Sequence, residues 1–228
     1  MPVTHRICES LTNMNPAAAH DLDKLSDFFV ETFPQMNRDE QVLARTIYQQ
    51  LALGNPLSLE RLAEILEQAV EVIQQKLAQW GSVFYNNSGE INGFLGITVD
   101  ERHHRMQING ITSYAWCAWD TLFIPELVGA TAQVTSSCAA TNEPITLTVT
   151  PQGVHSAPTD IWVSFLLPDE KAVQENVTTS FCCHVRFFSS KAVGEAWTDQ
   201  HEGTFLLTLD ETFKIGKKVN AARYKDIL

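Results

Sequence analysis

Two stretches of the chain place reactive side chains at spacings that could do chemistry. In Tyr114-Ala115-Trp116-Cys117-Ala118-Trp119-Asp120-Thr121-Leu122-Phe123, a thiol and a carboxyl group stand three residues apart in an otherwise apolar run. Read as helix, that spacing puts Cys117 and Asp120 on one face. Burial raises the pKa of a carboxyl group, and a neighbouring thiolate raises it further. Asp120 would then hold a proton near neutral pH and could deliver it. The opposing reading makes Cys117 a small core residue, as free Cys commonly is, and Asp120 a charge on the helix surface.

The second stretch is Ser180-Phe181-Cys182-Cys183-His184-Val185-Arg186-Phe187-Phe188. Its aromatic and β-branched residues predict a strand. Alternation along a strand gathers Phe181, Cys183, Val185 and Phe187 on an apolar face. Cys182, His184 and Arg186 fall on the other. Cys183 then reads as core and Cys182 as the working thiol. His184 reads either as an added ligand or base, or as an ordinary polar-face residue. Cys182-Cys183-His184 lacks the C-x₂₋₄-C spacing of a structural zinc site.

The elements that must position these groups fall into two regions. Apolar residues at Leu22, Leu25, Phe28, Phe29 and Phe33 predict an amphipathic helix ended by Pro34. Leu43, Ile47 and Leu51 predict a second, closed at Gly54-Asn55-Pro56. Ser58 is placed to cap a third, which is followed by a helix over Ala69–Trp80 closed by Gly81. Ser82 to Tyr85 and Ile91 to Thr98 then predict a hairpin. This order outlines a winged helix-turn-helix.

From Arg105 the pattern turns to strands, at Met106–Ile111, Ala132–Ser136, Pro144–Thr150, Ile161–Leu167 and Phe205–Leu209. His103-His104 reads as solvated loop, and Pro125 as the start of a separate short turn. A short helix is expected over Lys191–Gln200, and a closing helix over Glu211–Tyr224, broken at Gly216. The expected fold class is α+β. Residues 1–38 form a lead-in and helix, residues 39–100 the winged-helix-like three-helix domain with hairpin, and residues 101–228 a β-rich core of mostly antiparallel sheet with short helices.

The totals exclude several function classes. The chain has 228 residues, 44% apolar, and a net charge of −11. Such acidity argues against nonspecific attraction to nucleic acid or anionic membrane. Residues 41–80 carry three bases (Arg45, Arg61, Lys76) against four acids (Glu60, Glu64, Glu67, Glu71), too few cations to neutralise DNA phosphates. No run reaches the ~18 apolar residues of a membrane span. The start lacks a signal peptide's apolar core, so the five cysteines (Cys8, Cys117, Cys138, Cys182, Cys183) are expected in the reducing cytoplasm. There, thiols serve more often as catalysts, metal ligands or core residues than in disulfides. Asn176-Val177-Thr178 fits a glycosylation sequon and reads as chance in that setting.

Three motifs in order carry a specific resemblance: Tyr114-Ala115-Trp116-Cys117 with Asp120, then Cys138-Ala139-Ala140-Thr141, then Ser180-Phe181-Cys182-Cys183-His184-Val185 with Phe187-Phe188. Together they resemble the bacterial organomercurial (alkylmercury) lyases, strongly over about residues 112–190 and more weakly over about 40–98. The resemblance implies protonolysis of a carbon–mercury bond to a hydrocarbon and Hg(II), on a winged-helix-like domain packed against antiparallel sheet. It implies that Cys117, Asp120 and Cys182 carry the chemistry, with Cys117 and Cys182 as mercury ligands and Asp120 admitted as a third. Cys138 matches a cysteine regarded as structural, and Cys183 a less essential one. Trp119 stands where leucine is often found, which would narrow the pocket. No function is carried onto Cys8 or the tail.

The chemistry suits the residues. Mercury is soft and thiolates are the protein's soft ligands. One thiolate captures R–Hg⁺, the second weakens the Hg–C bond, and an acid within reach protonates the departing carbon. No cofactor is expected, but a reduced small-molecule thiol is, for turnover. The expected partners are an organomercurial substrate and, for Hg(II), cellular thiols or a mercuric reductase. Two other classes compete. A winged-helix metal-responsive transcription regulator would need the basic recognition helix that is missing. A Cys-dependent hydrolase or redox protein has no C-x-x-C and no clear His partner for Cys117 in sequence.

Overall fold

A computed structural model describes residues 21–32, 35–157, 159–167 and 180–228. Cys8, the lead-in, the Pro34 stop and the sequon at 176–178 lie outside them. The first described helix, α1 (Leu22–Thr32), buries Leu25, Phe28 and Phe29 along one stripe. Helix α2 (Arg38–Leu51) starts in a capping box. The Asn37 side chain accepts from the Glu40 N–H, and the Glu40 carboxylate accepts from the Asn37 N–H. Ser58 caps α3 (Leu59–Leu66) as expected, through the Arg61 N–H. Helix α4 (Val70–Leu77) stops before the expected Trp80, with Ala78 as its C-cap.

The strands that follow build one eight-stranded antiparallel sheet: β1 (Val83–Tyr85), β2 (Ile91–Phe94), β3 (Ile97–Thr98), β4 (His104–Ile108), β5 (Ile111–Ala115), β6 (Ala132–Ser137), β7 (Pro144–Thr150) and β8 (Gly153–Ala157), in the order β1-β2-β3-β5-β4-β6-β7-β8. Helices α2 to α4 precede β1 and β2 as the sequence predicts, and both strands continue directly into this sheet. Alternation is clean on β6 and β7, where Ala132, Val134, Ile145, Leu147 and Val149 are buried and their neighbours largely face out. A second sheet, ordered β10-β9-β11, comprises β9 (Trp162–Leu166), β10 (Phe187–Phe188) and β11 (Thr204–Thr208). Helix α5 (Asp120–Val128) links β5 to β6, α6 (Lys191–Thr198) links β10 to β11, and α7 (Leu209–Arg223) closes the fold.

Several expectations need correction. Met106–Ile111 is not one strand. Asn109 (φ 51°) and Gly110 (φ 81°) form a two-residue hairpin turn between β4 and β5, with Ile108 opposite Ile111. Both turn positions need positive φ, which Asn and Gly supply most readily. His104 is no loop residue. It begins β4, is buried, and its Nδ1 lies 2.8 Å from the Ser136 Oγ. Pro125 lies inside α5 rather than starting a separate turn. Proline at the sixth helical position removes one internal hydrogen bond, and the next turn closes at Gly129, in the left-handed region.

Nor does Gly216 break α7. It marks where that helix meets α5, since an added Cβ would lie 2.8 Å from the Phe123 Cβ and 3.2 Å from the Trp119 Nε1. Asn220 Nδ2 donates to the Phe123 carbonyl across the same contact. Helix α2 is tied in by the Arg45 guanidinium, which donates to the carbonyls of Leu127 and Ile227. Among the described residues, no helix is long and apolar enough to cross a membrane.

Candidate active site

Cys117 sits in the turn between β5 and α5, not on a helix. The i,i+3 spacing still brings it to Asp120, by another route. Asp120 opens α5, and its Oδ2 accepts the Cys117 backbone N–H at 2.8 Å. Two further bonds fix the turn: the Trp116 N–H donates to the Gly96 carbonyl (2.9 Å), and the Thr121 hydroxyl to the Ala118 carbonyl (2.7 Å).

The segment carrying the other thiol is not the expected strand. Cys182–His184 form one turn of 3₁₀ helix, and only Phe187–Phe188 join a sheet. In a tight turn of about three residues, successive side chains fan out rather than alternate. The facing is therefore the reverse of the sequence expectation: Cys182 is buried among apolar groups, while Cys183 is exposed. Ser164, fully buried on β9, holds the segment in place. Its hydroxyl donates to the His184 carbonyl (2.7 Å) and accepts the Arg186 N–H (3.0 Å). The Ala118 N–H donates to the Val185 carbonyl (3.2 Å), joining this segment to the Cys117 turn.

The result is a buried cluster. One ligand atom from each of Cys117, Asp120 and Cys182 lies within 4.8 Å of the others. His184 is half-buried, and neither it nor Cys138 joins the cluster. A small cavity of about 30 Å³ adjoins it, walled by Tyr48, Trp116, Trp119, Phe181 and Arg223. That volume is about what one or two water molecules need. Trp119 packs on Phe29, Phe123, Phe165 and Phe181, with ring centroids 5.0–5.9 Å apart. Edge-on and tilted aromatic packing of this kind makes a rigid, dry wall.

Burial dominates the electrostatics. It pushes the Asp120 carboxyl up to about 7, against the lowering effect of the hydrogen bonds from the Cys117 thiol and N–H. Burial also drives the Cys117 thiol well above its usual range, helped by the Cys182 thiol and the Asp120 carboxyl. For Cys182, the contact with Cys117 lowers the thiol, but burial with Asp120 and Cys183 nearby leaves it raised. In this setting both thiols hold their protons and the carboxyl group titrates near neutrality. Cys138 behaves differently: burial is outweighed by hydrogen bonds from the Thr141 side chain and from the N–H groups of Ser189, Thr141 and Ala140, which lower it.

Sequence reasoning singled out all three members of the cluster. It missed their support, namely Ser164, the Tyr48 wall and Gly96, whose hypothetical Cβ would lie 2.5 Å from the Asp120 Oδ1. Gly96 had a legible signal, a lone glycine between two short apolar runs.

Fold and site together define a mixed α/β protein with a buried dithiol–carboxyl centre, a donor set suited to a soft metal. A family model described as alkylmercury lyase (MerB) matches residues 97–220. An alkylmercury lyase of Pseudomonas putida is 40% identical over 172 residues, covering 75% of this chain and 79% of that protein. One from Staphylococcus epidermidis is 33% identical over 90% of this chain and 95% of its own length. One from Bacillus cereus is 35% identical over 81% of this chain and 83% of its own length. In fold, the chain is similar to the crystal structure of the mercury-bound form of MerB2, with a TM-score of 0.72 at 22% identity, covering 88% of this chain and 98% of that one. The chain belongs to the alkylmercury lyase family, enzymes that cleave the carbon–mercury bond.

Proposed function

We propose that this enzyme converts alkyl- and arylmercury compounds to a hydrocarbon and Hg(II), with Cys117 and Cys182 as the sulfur ligands of mercury and Asp120 as the proton carrier. The observation that carries this reading is the convergence of two thiols and one carboxyl group within 4.8 Å, all buried. One thiol binds R–Hg⁺ as a thiolate and passes its proton to the Asp120 carboxylate. The second thiol adds its sulfur to mercury, which raises electron density on the metal and weakens the Hg–C bond. Carbon leaves with that bond's electron pair and takes the proton held by Asp120. The second thiol's proton then returns to Asp120 or to solvent. The balance is closed: R–Hg⁺ and two thiols give R–H, a dithiolate-bound Hg(II) and one proton.

Burial of all three groups favours this sequence, because charges interact more strongly where bulk water is excluded. No cofactor is required by these steps. A reduced small-molecule thiol would lift Hg(II) from the two sulfurs, passing it to cellular thiols or to a mercuric reductase. Trp119, as a cavity wall, would restrict the size of the organic group. The winged-helix-like reading of residues 39–100, and the division of the chain at 38 and 100, belong to the same proposal. The order α2-α3-α4-β1-β2 supports them. The test is headspace analysis for methane from methylmercury and benzene from phenylmercury, with excess thiol present. Hydrocarbon release by wild type and none by Cys117→Ser or Cys182→Ser is the expected result. Full turnover by either variant would refute the ligand assignment.

A further inference from the structure

We propose that Tyr48 is a positioning residue: its hydroxyl clamps the Leu95-Gly96 turn, and that turn sets where the Asp120 carboxyl group sits. The inference deepens the proton-carrier reading of Asp120 and rests on it.

Strands β2 and β3 are joined by two residues only, with Phe94 paired to Ile97. Both connecting residues have positive φ, 39° at Leu95 and 103° at Gly96. The β4–β5 hairpin has the same design and fills it with Asn109-Gly110, the pair such turns favour. At the active site, leucine takes the asparagine position. A branched side chain in the left-handed region is a strained choice that surrounding contacts must hold.

Three hydrogen bonds do the holding. The Tyr48 hydroxyl, reaching from α2, donates to the Leu95 carbonyl at 2.8 Å. The Leu95 N–H donates to the Ser82 carbonyl at 3.1 Å, and the Gly96 carbonyl accepts from Trp116 at 2.9 Å. Tyr48 is only 1% exposed, so it is itself immobilised by packing.

The turn bears directly on the reacting groups. A Cβ on Gly96 would lie 2.5 Å from the Asp120 Oδ1 and 2.6 Å from its Cγ, so the carboxyl group occupies space that only a bare glycine backbone leaves open. Its other oxygen holds the Cys117 N–H. The same turn anchors Trp116, the residue before Cys117. A displacement of Leu95-Gly96 therefore moves the carboxyl group relative to both sulfurs. Small misplacements of reacting groups are costly in rate and need not alter substrate capture.

Tyr48→Phe removes the one hydroxyl and keeps the ring. The experiment measures single-turnover hydrocarbon release and KM for Tyr48→Phe in two backgrounds, wild type and Leu95→Asn, which restores the favoured turn pair. In the wild-type background the cleavage rate should fall roughly tenfold while KM stays within roughly twofold. In the Leu95→Asn background the same substitution should cost less than roughly threefold, because Asn-Gly holds the turn without the clamp. An undiminished rate for Tyr48→Phe overturns the proposal. So does an equal loss in both backgrounds, or a rise in KM that matches the loss in rate. Asp120→Asn, assayed in parallel, separates the two readings. Full turnover there removes the proton-carrier role, whatever Tyr48→Phe does.

Discussion

In the proposed mechanism, the Cys117 thiol, the Cys182 thiol and the Asp120 carboxyl group have separable parts. On that mechanism, replacing either sulfur stops cleavage, because the thiol that remains can capture R–Hg⁺ but cannot supply the second ligand. Replacing Asp120 with Asn keeps both sulfurs and nearly the same volume. Asp120→Asn should therefore still take up about one equivalent of organomercurial per chain, while hydrocarbon release falls by about 10²-fold or more, as loss of a positioned general acid usually costs. Mass spectrometry of the intact adduct checks uptake, and headspace analysis checks release. Loss of uptake in Asp120→Asn would make the carboxyl group a ligand instead of a proton carrier.

Support from whole elements decides which of two adjacent cysteines turns inward. Ser164 accepts and donates one hydrogen bond each to the Cys182 segment from a fully buried position. Ser164→Ala leaves the His184 carbonyl and the Arg186 N–H short of a partner, at a cost of about 1–3 kcal/mol. Activity should fall with it as Cys182 loses its fixed position, which denaturant titration and turnover assays would test together. Gly216→Ala sets two effects against each other on α7. Alanine gains about 1 kcal/mol of helix propensity. Its Cβ would meet the Phe123 Cβ at 2.8 Å, and overpacking costs about 1–3 kcal/mol. The clash should win, giving a lower denaturant midpoint.

These two positions also show where the sequence was legible. Helices α1 to α3 and strands β6, β7, β9 and β11 follow from apolar periodicity, because each buries one face against a continuous core. The Phe181–Phe188 segment misleads because its alternation of Phe, Cys and Val mimics a strand. Its backbone bonds instead to a serine side chain, a partner that no local pattern announces. Gly216 reads as a breaker when the helix is considered alone and as a contact point once α5 lies against it. Asn109-Gly110 was readable as a hairpin turn, and only its place within an apolar run disguised it. The three residues that the structure brings together were singled out by type and by motif, neither of which depends on the backbone path between them.

For the molecule as a whole, two buried groups titrate in opposite senses. Burial, with His103 and Arg186 nearby, lowers His104 from 6.5 to about 3. Between those values the unfolded chain binds a proton that the folded one refuses, so stability is lost as pH falls below 6.5. Asp120 is raised from 3.8 to about 7, so the folded chain keeps a proton that the unfolded one has released, and stability is lost as pH rises from 3.8 to 7. Each slope is about 1.4 kcal/mol per pH unit, and they oppose each other over the shared interval. The mercury-free wild type should therefore show a nearly flat contribution from this pair between about pH 4 and 6.5. Asp120→Asn should unmask the His104 slope, with denaturant midpoints that drop as pH is lowered through that interval. A midpoint in Asp120→Asn no more pH-sensitive than in wild type would contradict this balance. The unlike burial of Cys182 and Cys183 also sorts reagents by bulk. A large maleimide should label Cys183 before the buried Cys117, Cys138 and Cys182, so peptide mapping after brief exposure would show a reporter group one residue from the proposed mercury ligand, on an enzyme that still turns over.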